Sequence, residues 1–177
     1  MVPIKEKLLS LYFKKLAKAD QVVRLSVGYK KAQLLGLLYT YEDAQKDEAV
    51  LRFIDQVKAT GKKLHILCYI TTKDAVYSGS FPSFTQHDIN IFGKFVNGPV
   101  ADFLRTPFDY LYHVDLVSNP MLDYALAKCR AKCRVGKFDA TRASLFEIMV
   151  KLESKSDSYA LDGLAGKMLY YTQLLEV

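Results

Sequence analysis

Apolar and polar positions alternate along this chain in blocks that match strands and helices of one α/β domain. Residues 33–39, QLLGLLY, form an apolar run between KKA and TYED, as expected for a strand covered on both faces. The following stretch, TYEDAQKDEAVLRFIDQVKATG, places Val50, Leu51, Ile54 and Val57 at helical spacing, with Thr40 as a cap, acids in the first turn and Gly61 as terminator. Residues 62–70, KKLHILCYI, predict a second buried strand. Strand, helix, strand in that order implies a parallel crossover of right-handed sense.

The pattern loosens over residues 71–99, where a short strand is expected at 89–92 after a long exposed segment. Tyr77, Phe81 and Phe84 fit either a lid or contact surface, or an aromatic plug over a core edge. A helix at 100–105 leads into a strand at 108–116, after which Asn119 and Pro120 supply an N-cap and a favoured first helical residue. Met121, Leu122, Ala125, Leu126 and Cys129 share one stripe, which makes Cys129 a packing residue. Strands at 133–138 and 144–152 follow, and a helix at 157–175 turns Leu161, Leu164, Ala165, Met168 and Leu175 inward.

These elements predict a three-layer, mainly parallel sheet, Rossmann-like or flavodoxin-like, with helices on both faces. In front of it, residues 4–18 read as an amphipathic helix, with Ile4, Leu8, Leu9, Leu11, Tyr12, Phe13 and Leu16 on one face and Lys7, Lys14 and Lys18 opposite. The expected organisation is a basic N-terminal helix over 1–20 and a single α/β domain over 21–177.

Charge sharpens this picture. The net charge of +6 resides in residues 1–31, which hold eight Lys/Arg against Glu6 and Asp20. A second basic cluster comprises Lys128, Arg130, Lys132, Arg134, Lys137 and Arg142, opposed only by Asp139. Patches of this kind suit RNA, a ribonucleoprotein or an anionic membrane surface. Lys7, Lys14, Lys15, Lys18, Lys30, Lys31, Lys128, Arg130 and Lys132 are the candidate contacts, and the plain alternative is two solvated surfaces. No apolar run approaches the roughly 20 residues of a membrane span, and no leader pattern opens the chain, so a cytoplasmic location is expected. Cys68, Cys129 and Cys133 lack metal-site spacing and read as reduced thiols, with Cys68 inert in mid-strand and His65 on the opposite face.

Candidate chemistry concentrates at the carboxyl ends of the strands, where parallel sheets hold ligands. A dinucleotide fold needs glycines after the first strand, but Tyr41, Glu42 and Asp43 stand there. Two carboxylates repel a diphosphate, so no nucleotide is expected at that turn and no cofactor is predicted. Glu42, Asp43 and Asp115, with Lys137 after the fifth strand, offer a weak hard-cation and phosphoryl constellation, against which stands ordinary helix capping. His113 and Asp115 project to one side of their strand as an acid and base pair or as a structural pair. Those two and Lys137 are the catalytic candidates. No serine sits in a nucleophile-elbow setting.

The stretch FDYLYHVDLVSNPMLDYALAKCRAKCRVGKFD, with INIFGKF and LLGLLYTYED before it, resembles a family of uncharacterised Bacteroidota proteins, a domain of unknown function. It is also remotely similar to the N-terminal half of heptosyltransferase-type glycosyltransferases, a likeness that Tyr112 and His113 interrupt. The first resemblance implies no established activity. The favoured reading is a non-catalytic binding or adaptor module that meets an anionic partner through its basic arm. The alternative is a small or degenerate glycosyltransferase-like or metal-assisted phosphoryl-handling enzyme at the sheet's carboxyl edge. A homo-oligomer docked through the 77–84 aromatics is a further expectation.

Overall fold

The structure, a computed structural model, describes residues 24, 27–71, 77, 79, 81–152 and 160–175. The expected helix at 4–18 lies outside the described residues, together with Lys7, Lys14, Lys15 and Lys18. Six strands form one sheet: β1 Leu34–Tyr41, β2 Lys63–Ile70, β3 Ser83–Phe84, β4 Tyr110–His113, β5 Cys133–Lys137 and β6 Ile148–Val150. Their spatial order is β3-β2-β1-β4-β5-β6, and every neighbouring pair is parallel. This is the doubly wound order of the Rossmann fold rather than that of flavodoxin.

Alternation along β1 sorts the core into two layers. Leu35, Leu37 and Tyr39 pack with α1 Ala44–Lys58 and α4 Ala160–Gln173, whose buried residues include Phe53, Ile54, Leu164 and Met168. Leu38 faces the other side, against α2 Gly98–Arg105 and α3 Pro120–Lys128. A central parallel strand buried on both faces must be apolar throughout, which is why QLLGLLY carries no polar alternation. Gly36 sits on the α2/α3 side, where a Cβ would come within 2.7 Å of Leu111 Cδ1 and 3.0 Å of Phe108 Cδ2. Gly36→Ala should therefore overpack the centre of the sheet and cost about 1–3 kcal/mol in urea unfolding; an unchanged midpoint would show that Leu111 and Phe108 yield freely.

Several sequence expectations need correction. The strand expected at 89–92 is a turn closed by an isolated antiparallel bridge between Ile89 and Phe95. The strand in this region is β3, which pairs only through Ser83 and Phe84. Thr40 belongs to β1, and α1 is capped by Asp43, whose side chain accepts from the Lys46 amide. Residues 144 and 145 end a 3-10 turn, Ala140–Leu145, and the sixth strand that follows has only three residues. Phe84 is buried, and Tyr77 and Phe81 pack on the core, so these aromatics cover an edge of the sheet. Asn119 caps α3 as expected, its Oδ1 accepting from the Met121 amide, and Pro120 is the first helical residue.

Candidate functional site

The chain leaves β1 toward one face and β4 toward the other, which opens a crevice at their carboxyl ends. Asp115 closes it. β4 ends at His113, and the Val114 amide still bonds Leu38 O at 3.0 Å. The next donor on β1, the Thr40 amide, then lies 3.2 Å from both Asp115 carboxylate oxygens, so a side chain replaces the ladder carbonyl. Thr40 Oγ1 also donates to Asp115 Oδ2 at 3.0 Å.

Lys46, one turn into α1, reaches back to Asp115 Oδ1 at 2.5 Å and to Glu42 Oε1 at 2.6 Å. Burial pushes the Asp115 carboxyl up, but His113 and Lys46 together hold it below the ordinary carboxylate value. His113 Nε2 stands 3.2 Å from Asp115 Oδ2, yet neither ring nitrogen forms a directed hydrogen bond. The ring also lies against Phe146, 5.8 Å away between centroids. His113 and Asp115 are 0% and 2% exposed.

The remaining carboxyl-edge residues do not converge on this pair. Asp43 is occupied by its cap, and Lys137 Nζ donates to Leu116 O at 2.5 Å. Among the described residues no group of three or more His, Cys, Asp or Glu is placed to hold a metal ion. At the first turn the α1 N-terminus is capped by Asp43, and Glu42 beside it pairs with Lys46. A cavity of about 400 Å³ opens beside it, lined by Glu42, Lys46, Arg52, Leu116, Leu161 and Asp162. Its cations are paired within the protein: Lys46 as above, and Arg52 through two 2.9 Å bonds to Asp162.

Lys46 and Thr40 organise the turn, and neither stood among the sequence candidates. The available signal was the four-residue spacing of Glu42 and Lys46, which suits an ion pair on a helix; the contact with Asp115 spans 69 positions and leaves no local trace.

The second basic cluster falls into four separate settings, Lys137 on Leu116 O being one, because β5 carries it through the core. Arg134 is buried and bound to Glu147, while Arg142 pairs with Asp123. Burial nevertheless raises the Asp123 carboxyl, outweighing the guanidinium. Lys128, Arg130 and Lys132 remain at the amino edge of the sheet, with Lys132 bound to Asp109 at 2.8 Å.

On that edge the chain also gathers Lys30 and Lys31 before β1, Lys58 at the end of α1, and Lys62 and Lys63 at the start of β2. Lys30, Lys31, Lys58, Lys63, Lys128 and Arg130 are exposed. The helix C-termini that meet there favour cations through their dipoles. The amino end of the sheet thus carries an excess of lysines and arginines, whereas at the carboxyl end Glu42, Asp115 and Asp123 are matched by Lys46 and Arg142.

Cys68 is buried in β2 and its thiol is pushed up to about 12 by burial, which keeps it protonated. Cys129 and Cys133 are likewise buried free thiols. Among the described residues no helix is long and apolar enough to cross a membrane.

No curated protein and no solved structure matches the chain. A family model described as "Family of unknown function (DUF6913)" matches residues 5–164, and the chain belongs to that family.

Proposed function

We propose that this protein is a non-catalytic binding module that engages single-stranded RNA, alone or within a ribonucleoprotein, through the amino edge of its sheet. The supporting observation is the set of exposed cations on that edge, Lys30, Lys31, Lys58, Lys63, Lys128 and Arg130. Tyr29, directly before Lys30 and Lys31, is fixed at that end by its amide, which bonds Leu175 O at 3.3 Å. Tyr170 and Tyr171, 57% and 46% exposed near the end of α4, add aromatic faces on which bases can stack. Phosphate neutralisation supplies affinity, and stacking favours unpaired bases over a lipid surface.

The test is fluorescence anisotropy with a labelled single-stranded RNA over a salt series, beside vesicles rich in phosphatidylserine. The expected result is RNA affinity that falls steeply with salt. Reversing Lys30, Lys31 and Arg130 to Glu should weaken binding by about tenfold or more and flatten the logarithmic salt slope by about 2. Salt-insensitive binding, or binding to vesicles without RNA binding, would overturn the proposal.

The second reading is a small or degenerate glycosyltransferase-like or phosphoryl-handling enzyme. The cavity of about 400 Å³ at the carboxyl edge favours it. Against it stand the internal pairing of Lys46 and Arg52 and the burial of His113 and Asp115.

A further inference from the structure

The sheet ends on one side in an incomplete strand. β2 is eight residues long, but β3 pairs only with Cys68 and Tyr69. Backbone groups along a strand point alternately to its two neighbours. The Lys63 amide bonds Gln33 O of the segment entering β1, and the Cys68 amide bonds Pro82 O on the β3 side. Odd-numbered residues of β2 therefore serve β1, and even-numbered ones face outward. The amide and carbonyl of Leu64 and Ile66 consequently point to the open side, and no hydrogen bond to them from that side occurs among the described residues.

These unpaired groups border a groove of about 510 Å³. Its apolar walls include Leu64, Ile66, Phe81 and Phe103, and Lys58 stands on its rim. Leu64 and Ile66 lean toward the α1 face, while His65 and Leu67 lean toward α2, so a strand laid here would find a surface for side chains of either parity. The open stretch, Lys63 to Leu67, is about 16 Å long at the usual strand rise.

We propose that the amino half of the β2 edge binds an extended acidic peptide as an added strand. Main-chain bonds to Leu64 and Ile66 supply the generic part of the affinity, and apolar side chains of the peptide fill the groove. Lys58 lines the groove and Lys63 is exposed at the amino end of β2; with Asp102 of the lining paired to Arg105, these two lysines select acidic residues. An edge lysine is also a common device against pairing of identical edges, and Lys63 stands at the open stretch itself, which favours a peptide over a second copy of this chain. The main-chain bonds of this inference do not depend on RNA binding, whereas Lys58 and Lys63 also belong to the cations proposed for RNA, so the N-methylated peptide is the arm that separates the two.

The probe is a fluorescein-labelled decapeptide alternating valine and glutamate, titrated against the full chain, with amide hydrogen exchange followed in parallel. In the free protein the Leu64 and Ile66 amides should exchange rapidly, and saturating peptide should slow both by about tenfold or more. The same peptide N-methylated at alternate residues should lose at least about tenfold in affinity, because it cannot complete the ladder. A version with lysine in place of glutamate should also bind more weakly.

Leu64→Pro gives a second check: it deletes an outward amide and no bond to β1, so the sheet should keep its stability while peptide binding falls. Three outcomes overturn the proposal. One is slow exchange at Leu64 and Ile66 that depends on protein concentration in a sedimenting dimer, which assigns the edge to a second copy. Another is equal affinity for the N-methylated peptide. The third is RNA, rather than peptide, protecting these amides. Absence of peptide binding with RNA binding intact removes this inference alone.

Discussion

Asp115→Ala is expected to destabilise the protein by about 3–5 kcal/mol, the usual effect of removing one partner from a buried ion pair. Lys46, with 9% side-chain exposure, would retain only the exposed Glu42 carboxylate. The Thr40 amide and hydroxyl, both buried, would lose their acceptor, and the seam between β1 and β4 would open at its carboxyl end. Asp115→Asn keeps an oxygen for Thr40 and should cost less. Chemical denaturation of the two variants measures the difference, and a loss below about 1 kcal/mol for the alanine would show that the carboxylate does not hold this seam.

The acid limb of stability carries the same signature. The folded Asp115 carboxyl lies below its ordinary value, so its contribution is present above the unfolded value of about 3.9 and is lost as pH falls through the folded one. The alanine variant should therefore lose part of the acid sensitivity of the parent.

The second large effect concerns Arg134. Glu147→Ala should cost about 3 kcal/mol, because the guanidinium is 3% exposed and would keep only the Leu126 and Ser144 carbonyls, each at 3.2 Å. Arg134→Met removes the buried charge itself and leaves a carboxylate at 24% side-chain exposure that water can reach, so it should cost less. Urea unfolding of both variants tests the order. RNA anisotropy supplies an independent readout: Arg134→Met should leave affinity unchanged, whereas Arg130→Glu should lower it. A reversed order of stability, or an RNA defect in Arg134→Met, would mean that the guanidinium acts at the surface.

The pair Arg130 and Arg134 shows where reading the chain in one dimension stops. Both lie in one basic run, four positions apart, and local composition treats them alike. One is an exposed cation at the amino edge, and the other is buried against Glu147. The division follows from β5 beginning at Cys133, since entry into the central sheet turns alternate side chains into the two packed layers. The Ile89 region fails for a related reason. An alternating apolar segment has strand character, but strand pairing needs an open edge, and the chain spends that region on a turn over α3, where Tyr124 Oη donates to Gly93 O at 2.5 Å.

Local pattern was enough to determine the α/β class, most of the strands, the N-cap of α3 and the burial of Cys129, because each depends on nearest-neighbour spacing or on a two-sided burial that leaves a continuous apolar run. The acidic first turn was legible for the same local reason. Tertiary structure alone decided that Asp115 bonds Thr40 and Lys46, that Arg134 is buried against Glu147, and that among the described residues no strand pairs with the amino half of the β2 edge. Those contacts join residues far apart in sequence, and the energy that selects them arises only when the strands are laid side by side.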